Sequence, residues 1–157
     1  MKTIHCALLI LLTVLASRPL VAQDLAPPFS ARDLEGNRYA LEELTGKIVV
    51  LNFWFVQCKP CVQEMPELNE LVQEYQDKDV VFLAFALNGK AELKQFLKKR
   101  AFDYQIVPDA QAVAGQYSVE GYPTHIVIDV KGNVAYRTMG LSPHTVGDLE
   151  KEIKKLL

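Results

Sequence analysis

Two continuous apolar runs dominate the pattern of hydrophobic and polar positions along the chain. They are Ile48–Phe55, in which Asn52 is the one polar residue, and Val80–Leu87. Runs of this length and composition predict strands buried on both faces of a sheet. Shorter runs predict three further strands, the last two joined by a hairpin turn at Asp129–Asn133; these strands are Ile106–Val107, Thr124–Ile128 and Val134–Thr138.

Helical spacing follows each of the two long runs. After Ile48–Phe55, apolar residues recur every three or four positions and so share one helix face; they are Val62, Met65, Leu68, Leu71, Val72 and Tyr75. The pattern predicts three more helices. The first spans Ala91–Arg100, and the second is capped by Asp109 and runs to Tyr117. The third is capped by Ser142 and has Pro143 in its first position. This order of elements predicts an α/β fold with a mixed central sheet flanked by helices.

Two segments precede this core. Phe29–Asp33 and Arg38–Leu41 flank the turn residues Glu35–Asn37, which predicts a small N-terminal hairpin. Residues 1–22 read as a signal peptide, with Lys2 at the start, an apolar run over Ala7–Ala16 and a small residue at the end. That run is far shorter than the roughly 20 residues of a membrane-spanning helix, although an uncleaved anchor is the alternative. We therefore expect a signal peptide at 1–22 and one domain at 23–157.

Composition and charge narrow the class of protein. The chain has 157 residues, of which 50% are hydrophobic and 23% charged, with a net charge of −2. This balance excludes a disordered chain and gives no basic surface for nucleic acid. Removal of the signal peptide also removes Cys6, so the mature chain retains the pair Cys58 and Cys61. In an exported, periplasmic protein such a pair can oxidise and persist as a disulfide.

The position of Cys58 gives this pair its predicted chemistry. Cys58 lies just after a buried strand and just before a helix, where unpaired backbone N–H groups and the helix dipole favour a thiolate. We expect the pKa of Cys58 to fall below the free value of about 8.5. Cys61 lies one turn further on, where it can attack a mixed disulfide formed by Cys58.

Other interpretations of the cysteine pair are possible. A structural disulfide would close a very short loop and constrain the unfolded chain little. A zinc site needs two more ligands, but His125 and His144 have the wrong spacing. His125 lies in a predicted strand, where we expect a hydrogen-bonded or half-exposed residue without chemistry. Covalent haem attachment requires His after the second cysteine, where this chain has Val62. A peroxidase with one attacking cysteine would leave Cys61 without a role.

Several motifs in order along the chain resemble the TlpA/ResA-like branch of the thioredoxin superfamily. They are Gly46–Trp54, Cys58–Cys61, Glu64–Pro66, Gly121–Thr124 and Ile126–Asp129 with Gly132. The resemblance covers nearly all of residues 23–157. It implies a thioredoxin-like fold and an exported or membrane-anchored thiol–disulfide oxidoreductase, often an electron donor to other exported proteins.

The resemblance also implies roles for individual residues. Cys58 would be the exposed nucleophile and Cys61 the resolving thiol, and together they would form a redox-active disulfide. Glu64 would tune the cysteine pair or relay its proton. In this role it would replace a buried acid of thioredoxins proper, whose place Asn52 takes. The alternative for Glu64 is an acid that merely favours the first turn of the helix.

On the substrate side, Pro123 would be a cis-proline facing the cysteine pair. The backbone of Tyr122 would bind an extended substrate strand. Trp54 matches a family aromatic upstream of the cysteine pair and would either contact substrate or pack in the core, whereas Gln57 departs from the usual Trp before the first cysteine.

We therefore predict a thiol–disulfide oxidoreductase that acts as a reductant on protein disulfides and is itself reset by a membrane thiol reductant. No cofactor, metal or nucleic acid is expected. A thioredoxin-like binding module without redox turnover and a thiol peroxidase are the alternatives.

Overall fold

A five-stranded mixed sheet organises residues 24–157, the part of the chain that this computed structural model describes. A small antiparallel hairpin precedes the sheet, formed by β1 (Ser30–Arg32) and β2 (Arg38–Ala40). The sheet strands are β3 (Ile48–Trp54), β4 (Val80–Ala86), β5 (Gln105–Val107), β6 (Thr124–Ile128) and β7 (Val134–Met139). The predicted signal peptide, residues 1–22, lies outside the described residues.

The sheet order is β5-β4-β3-β6-β7, with β3 at the centre. Strands β3, β4 and β5 are parallel, whereas β6 and β7 add antiparallel. Within residues 24–157, three helices connect the strands of the sheet: α1 (Lys59–Glu74), α2 (Lys90–Leu97) and α3 (Gln111–Gln116). A fourth helix, α4 (Thr145–Leu156), follows β7, and a short 3-10 helix spans Leu41–Leu44. The predicted α/β fold with a mixed central sheet and an N-terminal hairpin is confirmed.

Both faces of β3 are covered, which explains its continuous apolar sequence. All seven residues of the strand are buried. Val50 and Trp54 belong to a core shared with α1, α2 and α4, and Leu51 and Phe53 belong to a second core shared with α3 and Phe29. Alternation along the strand therefore places Asn52 on the same face as Val50 and Trp54, beneath α1.

Three predicted helix ends are wrong. α2 ends at Leu97 rather than Arg100. Asp109 has φ +54° and precedes α3 without a capping side-chain hydrogen bond, because its left-handed backbone turns the chain ahead of the helix. Ser142 does not cap α4, since the Ser142 hydroxyl accepts a hydrogen bond from the His144 N–H and the helix begins at Thr145.

The N-terminal segment enters the fold beside β7. The Val134 N–H donates to the Asp24 carbonyl at 2.8 Å, and the Ala26 N–H donates to the Gly132 carbonyl at 2.9 Å. These contacts lie at the end of the sheet where β7 begins, opposite the end where β3 leads into α1. From residue 24 onward, no helix is long and apolar enough to cross a membrane.

Candidate active site

Cys58 and Cys61 form a disulfide at the start of α1, with their Cα atoms 5.3 Å apart. Cys58 is the N-cap residue of the helix, and its Sγ accepts a hydrogen bond from the Cys61 N–H at 3.3 Å. Cys58 is 5% exposed and Cys61 is 1% exposed, so Cys58 is the outer cysteine of the pair. This is the strand-to-helix position predicted for the pair.

The segment before Cys58 is held against the loop after β4. Asn88 Oδ1 accepts a hydrogen bond from the Val56 N–H at 2.7 Å, and Asn88 Nδ2 donates to Gln57 Oε1 at 3.4 Å. Gln57 Nε2 also donates to Glu92 Oε1 on α2. Gln57, which stands where the family usually has Trp, therefore connects this side of the site to α2 through polar contacts.

The loop before β6 lies on the other side of the cysteine pair. The Tyr122–Pro123 peptide bond is cis, as the resemblance implies. The Pro123 carbonyl accepts a hydrogen bond from the Gly140 N–H at 2.7 Å, which ties this loop to the end of β7. The Tyr122 ring meets the Phe55 ring edge-on at 5.4 Å, so the loop also contacts the segment that leads to Cys58.

Two exposed apolar side chains extend this surface, and sequence reasoning missed them. Met139 at the end of β7 is 57% exposed and Leu141 is 39% exposed. Met139 covers Gly121, because a Cβ atom added there would lie 2.7 Å from the Met139 Sδ. Their place beside the Pro123 loop depends on β6–β7 pairing, so no local sequence signal identifies them.

Trp54 lies beneath the site rather than on its surface. Its side chain is fully buried and packs against Phe96 and Phe102, each with ring centroids 5.5 Å away. A substrate docked on the surface has no access to the indole, and its predicted substrate contact is replaced by a packing role.

A buried polar cluster lies under the cysteine-bearing turn of α1. It consists of Glu64 on α1, Asn52 on β3 and His125 on β6, all at most 3% exposed. His125 Nε2 lies 2.9 Å from Glu64 Oε1, and Asn52 Nδ2 donates to the same oxygen at 3.4 Å. Glu64 shares the buried face of α1 with Cys61, one turn away.

The sequence predicts no chemical role for His125, yet its ring contacts Glu64 in this buried cluster. Asn52 and His125 are direct partners in the β3–β6 register. Alternation along the predicted strands could have placed both side chains on the α1 face, where Glu64 was already expected. The contact itself required the strand register, which the sequence pattern does not define.

Tyr104 brings another polar group into the core near this cluster. Its hydroxyl is buried and has no hydrogen-bond partner among residues 24–157, and the same holds for Glu64 Oε2. Burial first, and then the charge of Glu64, raise the pKa of the Tyr104 hydroxyl well above its usual range. The hydroxyl therefore stays protonated at working pH.

The described residues form no cluster of three or more His, Cys, Asp or Glu side chains suited to a metal ion. The zinc-site interpretation of the cysteine pair therefore gains no ligands from this part of the chain. The disulfide, the buried Glu64–His125 contact and the Pro123 loop remain as the chemical features of this edge of the sheet.

Comparison with known proteins agrees with this arrangement. The family model described as "AhpC/TSA family" matches residues 22–137. The thiol-disulfide oxidoreductase ResA of Bacillus anthracis is 38% identical over 133 residues, which cover 83% of this chain and 76% of that protein. The thioredoxin-like protein YneN of Bacillus subtilis is 39% identical over 110 residues, 68% of this chain and 65% of that one.

A solved structure supports the same assignment. The crystal structure of a candidate DsbE thiol:disulfide interchange protein from Chlorobium tepidum superposes with a TM-score of 0.78 at 28% identity, covering 85% of this chain and 96% of that one. The cysteine pair at the start of α1 is also the feature expected of such proteins. The chain therefore belongs to the AhpC/TSA family, as one of its thioredoxin-like thiol–disulfide oxidoreductases.

Proposed function

We propose that this protein is an exported reductant of protein disulfides. In this proposal Cys58 is the nucleophile, Cys61 the resolving thiol and Glu64 the group that accepts the proton of Cys61. Pro123 and Tyr122 border the bound substrate chain. The protein works outside the cytoplasm, in the periplasm, after removal of residues 1–22.

One observation carries the proposal: Cys58 caps α1, and its sulfur already accepts the Cys61 N–H in the disulfide form. After reduction the same N–H and the positive end of the helix dipole remain beside the sulfur. Both favour the thiolate, which is the attacking species in disulfide exchange.

The reaction then follows from the two positions. The Cys58 thiolate attacks a substrate disulfide, forms a mixed disulfide and releases one substrate sulfur as a thiolate. Cys61 loses its proton and attacks the Cys58 sulfur, which forms the observed disulfide and releases the second substrate sulfur. The substrate gains two electrons, and the cysteine pair loses two.

The surface around the pair suits an extended, partly unfolded protein chain. Phe55, Tyr122, Met139 and Leu141 present apolar area on the side of the Pro123 loop. In the described part of the chain, the Tyr122 backbone forms no backbone–backbone hydrogen bond. A substrate strand can therefore pair with it while its apolar side chains contact the surrounding surface.

The reductant direction is supported by the buried carboxylate of Glu64. A negative charge one helical turn from Cys61 opposes a second anion there and so favours the thiol form of the pair. Reset of the pair requires a dithiol reductant, for which a membrane thiol protein on the same side of the bilayer is the proposed source.

Replacement of Cys61 by Ala is expected to trap substrates on Cys58 as mixed disulfides, because the resolving thiol is missing. Reduction of insulin by dithiothreitol should be accelerated by the wild-type protein but not by C58A or C61A. The trapped partners are identified by mass spectrometry after acid quenching, with C58A/C61A as the matched control.

Other outcomes would support the alternative functions. If C61A traps nothing and the wild-type protein does not accelerate insulin reduction, a binding module without redox turnover explains the fold. If the protein consumes hydrogen peroxide rapidly and C61A retains that rate, the chain acts as a thiol peroxidase.

The helix N-terminus is expected to lower the pKa of Cys58 below the free-thiol value of about 8.5. In reduced C61A, the rate of alkylation by iodoacetamide should reach half its maximum below about pH 7.5, because the thiolate is the reacting form. The same protein in denaturant provides the control and should return to the free value. Identical profiles in the two conditions would contradict a stabilised thiolate.

A reductant should have a low two-electron potential. Equilibration with glutathione or with thioredoxin is expected to give a value nearer the roughly −270 mV of thioredoxin than the roughly −120 mV of a strong oxidant. E64Q should raise the potential, because loss of the negative charge makes the thiolate of the reduced pair more stable. A potential at the oxidising end would contradict the reductant direction and leave the exchange chemistry intact.

Export is expected to remove residues 1–22. When the full chain is expressed in a bacterium, the periplasmic fraction should contain protein whose intact mass begins at Gln23. A22R should retain the segment, because signal cleavage requires a small residue at this position. Protein that begins at Met1 in both variants and stays in the cytoplasm would contradict export.

A further inference from the structure

His125 is a buried titratable group at the site to which the reaction above gives no role. It is fully buried on β6, beneath α1, and its partners are polar groups of two other elements. A buried imidazole needs its nitrogens satisfied, and a buried carboxylate needs donors. The Glu64–His125 contact at 2.9 Å provides a donor to the carboxylate from the imidazole.

The hydrogen bonds define which nitrogen of His125 carries the proton. Asn52 Nδ2 lies 3.3 Å from His125 Nδ1 and 3.5 Å from His125 Nε2. Glu64 Oε1, an acceptor, lies 2.9 Å from Nε2, so Nε2 faces the carboxylate and Nδ1 is left to accept from the Asn52 amide. His125 Nε2 then carries the hydrogen and donates to Glu64 Oε1. Asn52 therefore orients His125 and His125 orients Glu64, in the way that a hydrogen bond at one imidazole nitrogen selects the tautomer at the other.

The two oxygens of the Glu64 carboxylate are left in different states. Oε1 receives donors from His125 and Asn52, whereas Oε2 is buried and has no partner among the described residues. The unpartnered oxygen is then a base held on the same buried helix face as Cys61.

We infer that His125 is a positioning residue for the resolving step: its Nε2–H holds the Glu64 carboxylate in one orientation, so that Oε2 accepts the proton of Cys61. This inference rests on the proposed function and adds a residue to it. The histidine acts through Glu64 and does not itself contact the sulfur.

The step balances as follows. In the mixed disulfide, the Cys61 S–H gives its proton to Glu64 Oε2, and the Cys61 sulfur attacks the Cys58 sulfur. The bond between the cysteines forms, the bond from Cys58 to the substrate breaks, and the electron pair leaves on the substrate sulfur, which takes a proton from water. The proton on Glu64 returns to Cys61 when a dithiol reductant reopens the disulfide.

Other groups that face the pair do not compete for this proton. β3 contributes the neutral amide of Asn52, and Tyr104 ahead of β5 contributes a hydroxyl that stays protonated. β7 contributes the neutral hydroxyl of Thr138, which is paired with His125 in the strand register. α4 contributes the neutral hydroxyl of Thr145, which lines a groove together with Glu64. Glu67 on α1 also lines that groove but is exposed to solvent.

The inference is tested by the two phases of the reaction of reduced protein with 5,5′-dithiobis(2-nitrobenzoate). The first release of thionitrobenzoate reports attack by Cys58, and the second reports attack by Cys61 on the mixed disulfide. H125L should slow the second phase about tenfold at pH 7 and change the first phase less than about twofold.

Conservative variants separate positioning from general damage. H125Q retains an N–H donor and should keep the second phase within about threefold of the wild type. E64Q should be at least as slow as H125L, and E64Q/H125L no slower than E64Q, because the two residues act as one unit. H144L, at an exposed histidine, is the control and should change neither phase.

Three results would overturn the inference. They are a second phase unchanged in H125L, slowing of both phases by the same factor at every pH, and H125Q as slow as H125L. If H125L does not fold, 15N-histidine spectra of the reduced wild-type protein decide the question, since a proton on Nδ1 rather than Nε2 contradicts it. Failure of the proposed function is distinct, because the wild-type protein would then release no second thionitrobenzoate.

Discussion

The hydrogen bond from the Cys61 N–H to the Cys58 sulfur is the contact on which the site depends. It exists because β3 ends inside the core and the chain must turn directly into α1, which leaves the first N–H groups of the helix without backbone partners. A sulfur takes the place that a Ser or Asp side chain usually fills at an N-cap. Cys58 therefore caps the helix and also lies in the electric field of the helix N-terminus, which favours the thiolate form of its side chain.

The polar cluster under α1 shows how the core supports this helix end. Asn52 and His125 lie in one row of the sheet, between Ala84 on β4 and Thr138 on β7, and their side chains meet Glu64 from below. Burying these groups costs stability unless they are hydrogen-bonded, so each restricts the position of the others. The contacts to Glu64 Oε1 also limit the orientation of the carboxylate relative to the cysteine turn.

The sequence pattern predicted the strands, the first helix and the place of the cysteine pair, because continuous apolar runs and helical spacing are local signals. It misplaced the starts of α3 and α4, where Asp109 and Ser142 have the right side chains for caps but lie in turns ahead of the helices. It also missed His125 and Met139, whose surroundings depend on the pairing of β6 with β3 and β7. Trp54 could be identified as important from its motif, but its burial follows from packing against Phe96 and Phe102.

The entry of the chain beside β7 has a geometric consequence. Asp24 joins the sheet at the end where β7 begins, and the seven residues of β3 separate that end from the disulfide by a distance on the order of 20 Å. Any tether ahead of Asp24 would thus leave the domain at the end of the sheet that lies far from the Cys58 and Cys61 sulfurs. A protein anchored to a bilayer through such a tether would present its disulfide away from the membrane, toward substrate proteins in the surrounding compartment.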